Sequence, residues 1–190
     1  MSPVTHFLTG WVLANTADLG RRDRAIVTLA AVVPDVDGLG IVAELLTRHS
    51  QHPLLWFSQY HHALHTLWFA LFVAGCAFCL SQRRWLSACL AFIAFHLHLL
   101  EDLVGSRGPD GFNWPIPYLF PLSQRWVWTW QGQWALNAWP NIVLTIALLG
   151  VTVWLAVRRG FSPVDIFSPA ADRSVVAALQ KRFRSNSATA

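Results

Sequence analysis

Trp85-Leu-Ser-Ala-Cys-Leu-Ala-Phe-Ile-Ala-Phe-His-Leu-His98-Leu-Leu-Glu-Asp102 is an apolar run that ends in a cluster of ionisable residues. From Trp85 to Leu100 it approaches the ~20 apolar residues a helix needs to cross hydrocarbon. It nevertheless carries His98 and Asp102, four residues apart and so on one helical face. An ionisable group at membrane depth is costly unless something pairs with it, and an imidazole beside a carboxylate points to a metal ion as that partner.

Working outward, the composition agrees with a membrane setting. Hydrophobic residues make up 54% of the 190 and charged residues only 13%, and eleven tryptophans suit aromatic belts at lipid interfaces. Leu64 to Leu80 and Ile142 to Val157 read as further spans. Phe7 to Ala17 is a weaker one, as is Ala25 to Leu46, interrupted by Pro34-Asp35-Val36-Asp37-Gly38. Proline and glycine break a helix there, and such a break at membrane depth is tolerated only where it is buried in protein or lines a wet cavity. The expected fold is therefore an all-α integral membrane bundle of about five membrane-embedded helices, one broken at Pro34–Gly38, plus a C-terminal amphipathic helix.

Arginines give an orientation. Arg21, Arg22 and Arg24, then Arg83 and Arg84, then Arg158 and Arg159 follow alternate spans, so the positive-inside rule places all three groups in the cytoplasm. At a helical rise of ~1.5 Å, His6 lies about 22 Å from Arg21, Asp35 about 16 Å from Arg24, His65 about 27 Å from Arg83 and His98 about 21 Å from Arg84. Four segments thus bring polar groups to one level in the outer half of the bilayer. His61 and His65 share the i,i+4 spacing of His98 and Asp102. Imidazole with carboxylate suits Zn²⁺ first, with Mn²⁺ or Fe²⁺ as alternatives, and no cysteine is placed to join them. The candidates, His6, Asp35, Asp37, His61, His62, His65, His98 and Asp102, exceed what one tetrahedral ion requires. Either two ions bind, or some of these groups orient the ligands from behind.

Thr5-His6 with Gly10, Pro34-Asp35-Val36-Asp37, the histidine-rich start of the next span and His98-Leu-Leu-Glu-Asp102 resemble the bacterial inner-membrane proteins described as membrane-bound metal-dependent hydrolases, over roughly residues 3–157. The order His, Asp, His, His-x-x-x-Asp is also loosely similar to that of zinc-dependent phospholipase C, which implies a phosphoester-cleaving cluster. The resemblance implies His6, Asp35, His65, His98 and Asp102 as ligands. The family reads His-Arg and then Thr-His-Ser where this chain has His61-His62-Ala63-Leu64-His65-Thr66, so the choice between His61 and His62 stays open. With the helical spacing of His61 to His65, the expected metal set is His6, Asp35, His61, His65, His98 and Asp102, holding one or two ions.

Beyond Asp102, glycines and prolines from Gly105 to Pro117 fix an irregular path in which Arg107, Asp110, Asn113 and Trp114 are placed to overhang the site. Arg107 is the candidate for the substrate's anionic group, and Asp37 or an unligated histidine the candidate general base. Trp126, Trp128, Trp130, Trp134 and Trp139 read as an interfacial girdle. Glu101 and His96 are expected to be non-ligands or groups that support the ligands from behind, and Cys76 and Cys79 to be packing residues. Residues 1–160 form the membrane-embedded metal-site domain. Residues 161–190 form a cytoplasmic basic amphipathic tail for the anionic leaflet; no motif accompanies its charges that would suggest nucleic acid. The sequence is thus read as a multi-pass inner-membrane hydrolase with an outward-facing site, using a metal-activated water on a lipid or lipid-linked phosphoester or ester. A metal transporter and a scaffold with a structural metal clamp are the alternatives.

Overall fold

The computed structural model describes residues 1–108 and 111–184. Helix α1 (Pro3–Ala14) begins where the Ser2 hydroxyl accepts the Thr5 N–H at 3.2 Å and Pro3 supplies a preset first-turn φ. Helix α2 (Arg21–Ala30) lies across it, and Gly10 is the residue that lets them meet: a Cβ there would stand 2.6 Å from the Thr28 carbonyl oxygen and 2.7 Å from Ala31 Cβ. Pro34 then ends regular helix. The chain bends by 54° between α2 and Val33, winds as a 3₁₀ turn over Val33–Leu39 and continues into α3 (Gly40–Thr47), followed by the short α4 (Trp56–Tyr60).

Helix α5 (Leu67–Leu80) packs along α6 (Arg84–Gly105). The inner stripe of α6 reads Ser87, Leu90, Ala91, Ala94, Phe95, His98, Leu99, Asp102, which is the 3.6-residue period of a buried face. Ala14, Val27, Ala30, Ala31, Ala77, Ala91 and Ala94 dominate one core cluster, small side chains that let backbones approach closely. A second cluster of Ala70, Phe95, Leu99 and Ile116 joins α5 and α6 to the loop beyond Asp102. That loop is folded by a minimal antiparallel pair, β1 (Ile116–Pro117) with β2 (Val127–Trp128), and α7 (Trp139–Arg159) follows. At the opposite end, buried Asp23 accepts the N–H groups of Gln82 and Arg83 at 2.9 and 2.8 Å, satisfying donors where α6 begins. Arg24 pairs with Asp165 at 2.9 Å and lies over the Phe161 ring, and α8 (Pro169–Arg184) packs back on α7.

The expectation of about five membrane-embedded helices is corrected. Among the described residues only α6 and α7 are long and apolar enough to cross a membrane, and a third span is reached only by taking Arg21–Ala30 with Val33–Thr47 as one bent unit. Helix α1 has 12 residues and α5 has 14, roughly 18 and 21 Å at the helical rise, short of a ~30 Å hydrocarbon layer. The apolar run from Leu64 is not all helix, because Thr66 is extended and caps α5 by accepting the Phe69 N–H. The tryptophans after the loop divide as well. Trp126, Trp130 and Trp139 are exposed, Trp128 stacks on Tyr118, and Trp134 turns inward to donate to Asn141.

Gly10→Val should destabilise the fold by about 1–3 kcal/mol, since a backbone carbonyl cannot step aside for the new methyls. Gly75→Ala, where an added Cβ meets nothing within 4 Å, should be neutral or stabilising by up to about 1 kcal/mol. Thermal melts of detergent-solubilised protein followed by circular dichroism read both.

Candidate metal centre

Three elements deliver four groups to one point. His6 comes from α1, Asp35 from the 3₁₀ turn that Pro34 forces, and His98 and Asp102 from one face of α6. One ligand atom from each lies within 4.8 Å of all the others. His6 and His98 are fully buried and Asp102 nearly so, while Asp35 keeps partial access. His65 stands alongside, its Nε2 3.1 Å from His98 Nε2, 3.5 Å from Asp102 Oδ2 and 4.0 Å from Asp35 Oδ1.

The outer nitrogens of the rings determine what the inner ones can do. His98 Nδ1 lies 2.9 Å from the Ala31 carbonyl oxygen, which can only accept, so Nδ1 carries the proton and Nε2 presents a lone pair to the cluster. His6 Nδ1 lies 2.6 Å from Glu101 Oε2 by the same logic, and Thr9 Oγ1 donates to the other Glu101 oxygen. His6 Nε2 then faces Asp102 Oδ1 at 3.2 Å and Asp35 Oδ2 at 3.9 Å, yet neither His6 Nε2 nor Asp35 Oδ2 has a hydrogen-bond partner. The His6 lone pair and the Asp35 oxygen converge with no donor between them and repel one another until a cation binds or a proton is taken up, whereas Asp102 Oδ1 already accepts from the Ser106 hydroxyl. A carboxylate or carbonyl behind each ligating imidazole is the usual arrangement at metal sites. The residues present therefore form a His/Asp cluster capable of coordinating a metal ion, with two nitrogens and two carboxylates in a donor set suited to Zn²⁺, Mn²⁺ or Fe²⁺.

His61 and Asp37 form the adjoining layer. Asp37 Oδ1 pairs with His61 Nδ1 at 2.8 Å, Asp37 Oδ2 accepts the Leu64 N–H at 3.0 Å, and the same oxygen lies 3.6 Å from His65 Nδ1. Burial works against a charged His65, but the Asp102 and Asp37 carboxylates outweigh it and carry its pKa up to about 9. His61 stacks on Phe57 and Trp114 rather than entering the four-residue cluster. His62 packs near Phe120, and His96 turns to the far side of α6, against the Phe92 carbonyl and the Tyr118 hydroxyl.

A cavity of about 250 Å³ adjoins the cluster, lined by Asp35, Asp102, His61, Arg107, Trp114 and Leu136 among others. The Met1 ammonium lies against Asp102 Oδ1 and 2.6 Å from Ser106 Oγ at its wall, a positive charge drawn to the same carboxylate. Arg107 is held by its backbone, donating to the Trp134 carbonyl at 3.1 Å and accepting from Leu136 at 3.2 Å. Asn113 donates to Gln131, and Asp110 lies outside the described residues. One organising residue escaped sequence reasoning. Gln133 is fully buried, donates to the carbonyls of Asp102 and Leu103, and accepts the Trp114 N–H at 2.7 Å, so it fastens the loop to the end of α6. An isolated glutamine in a tryptophan-rich stretch carries no periodic or motif signal that would single it out.

Residues 1–177 match the family model described as YdjM inner membrane protein. No curated protein and no solved structure matches the chain.

Glu101→Gln should keep the fold and weaken metal binding about 10–100-fold, while His98→Ala and Asp102→Ala should lose the ion altogether; elemental mass spectrometry on purified, dialysed protein reads the difference. A proton and a cation compete for His65 and its neighbours, so apparent metal affinity should rise between the ordinary histidine pKa of 6.5 and the raised value of about 9. Calorimetric titration across that pH window checks the sign.

Proposed function

Given that the chain belongs to the YdjM inner membrane protein family, an inner-membrane protein with at least two transmembrane helices, we propose that it is a metal-dependent hydrolase of a lipid or lipid-linked phosphoester or ester. One observation carries the reading: the buried His6 and His98 lone pairs converge on the Asp35 and Asp102 carboxylates, with His6 Nε2 and Asp35 Oδ2 left without a hydrogen-bond partner, beside a cavity that holds an arginine. His6, Asp35, His98 and Asp102, with His65 in reach, would hold a divalent ion, which would supply Lewis-acid charge and lower the pKa of a bound water. Zn²⁺ is the preferred ion, with Mn²⁺ or Fe²⁺ as alternatives and room for one or two.

The protein's own residues supply the rest. His61 reaches the cavity wall with its Nδ1 held by Asp37, so Nε2 is oriented to take a proton from an attacking water and later return it to the leaving oxygen. Asp37 acts through His61 as its positioning residue. Arg107 faces the same cavity and is suited to a phosphoryl or carboxyl oxygen, binding the substrate and stabilising charge that develops there. The arginine groups at Arg21–Arg24, Arg83–Arg84 and Arg158–Arg159 put the opposite end of the bundle in the cytoplasm, so the site faces outward and residues 161–190 lie on the cytoplasmic side. A cluster that only clamped α1, the 3₁₀ turn and α6 together, as in a scaffold, would need neither the oriented His61 nor an adjoining cavity.

In a screen of lipid phosphoesters and carboxylic esters with purified protein, His61→Gln should retain the ion and lose about 10²–10⁴-fold in turnover, the usual range for a general base. Arg107→Ala should chiefly raise KM. Wild-type protein that holds its ion but cleaves none of these substrates would sink the hydrolase reading in favour of a structural clamp.

A further inference from the structure

The cavity beside the cluster is one end of a longer feature. Leu136, half-exposed at its rim, also lines a second hollow of about 250 Å³ between α1 and α7, with Ser2, Thr5, Ile142, Thr145 and Ile146. Ile146 in turn lines a third hollow, about 630 Å³, that runs down α7 past Leu149, Gly150, Val153 and Trp154 to Phe183 of α8. On α7 the shared stripe Ile142, Ile146, Leu149, Gly150, Val153 and Val157 advances by three and four residues, so the hollows lie on one face.

Chemistry changes in order along this path. At the cluster end stand Arg107 and the metal-binding groups. Next comes a short polar rung, where Thr5 Oγ1 and Thr145 Oγ1 are 2.8 Å apart and Ser2 Oγ is 2.9 Å from Thr5 Oγ1. Below it the lining is apolar as far as Val157, beyond the reach of one leaflet, where Arg158 closes the far end; Ile142, Ile146, Leu149 and Trp154 are each more than half exposed on a helix long enough to cross the membrane. Charge, then neutral hydrogen-bonding groups, then hydrocarbon is the order of a phospholipid: anionic head, ester region, acyl chain. From Ile142 the ~15 Å depth of one leaflet reaches ten residues along α7, to Thr152, just past Gly150.

We infer that this path along α7 is the binding site for an anionic phospholipid from the leaflet on the cavity side, its acyl chain lying on the Ile142–Val153 face and its head beside Arg107. The inference rests on the hydrolase reading only for the fate of the head; the chain site stands on the succession of three neighbouring hollows that share Leu136 and Ile146 as lining residues. Lipid tails are as apolar as the groove, so no hydrophobic transfer drives the chain in, and packing together with head capture selects it. Thr145 meets the ester region, backed by the fully buried Thr5, and Gly150 leaves the groove open because a Cβ there would meet nothing within 4 Å.

The test uses full-length protein in phosphatidylcholine vesicles doped with a phosphatidylglycerol that carries a diazirine in its acyl chain. After irradiation, mass spectrometry should place adducts on α7 between Ile142 and Trp154. Gly150→Phe, which fills the groove, should lower that labelling by about threefold, the scale of a single packing interaction between membrane-embedded groups. Gly75→Phe on α5, equally free of close neighbours, should leave it unchanged. Adducts spread alike over the lipid-facing sides of α5 and α7, or α7 labelling indifferent to Gly150→Phe, would overturn the site. Labelling that follows the groove in a protein that cleaves no lipid phosphoester would uphold the lipid site while the hydrolase reading fell.

Discussion

The buried carboxylate of Asp102 dictates how the helices pack. A carboxylate on the inner face of a membrane helix is tolerable only among cations and donors; the Met1 ammonium and the Ser106 hydroxyl lie against it and His65 is 3.5 Å away, while His98 one turn earlier and His6 from α1 face it with lone pairs that a bound cation would satisfy. Each of these has to be brought within a few ångström, which requires α1, the 3₁₀ turn and α6 to pack with little between them. The small residues serve that end. Gly10 seats α1 on α2, and Ala30, Ala31, Ala91 and Ala94 draw α2 against α6 until the Ala31 carbonyl can hold His98 in its tautomer.

The helix break is the second part of the same arrangement. An uninterrupted α2 would carry its carboxylates past the cluster. Pro34 converts that stretch into a 3₁₀ turn, from which Asp35 faces the imidazoles of α1 and α6 while Asp37 turns to His61 and the start of α5. Irregular backbone at this depth is tolerated because it lies against protein and beside a polar cavity. The unusual geometry and the concentration of ionisable groups occur at the same place, as expected where a fold gives up regularity for chemistry.

Much of this was legible in the residues. The buried stripe of α6 is written in its 3.6-residue period, and Pro34 marks the break unaided. The number of spans was not legible, because hydropathy counts apolar residues whether they are helical or not. Leu64 adds to an apolar run without adding to α5, and α1 ends at Ala14, where Asn15 and Thr16 separate Ala17 from the apolar residues before it. The pairing of His61 with His65 illustrates a second limit. Their i,i+4 spacing implies a shared face only in a helix, but the segment from His61 is a series of turns, and the two rings sit edge to face with centroids 5.7 Å apart, one in the cavity wall and one beside the cluster. Glu101 behind His6 is a third case. Its neighbour Asp102 draws attention as half of a motif, while the role of Glu101 depends on a ring 95 residues away that no local pattern could supply.

Gln133 has a consequence for how such a protein can diversify. One side-chain amide, buried and saturated, fixes both the last carbonyls of α6 and the backbone at Trp114, so the loop is fastened at its root while Phe112, Leu122 and Trp126 remain exposed toward its outer reaches. Ile116 and Tyr118 hold the next stretch to α5 and α6, so it is the turn of residues 122–125, beyond these ties, that can be lengthened, shortened or rewritten with least effect on the cluster beneath and on which selection for new ligands can act at least cost to the fold.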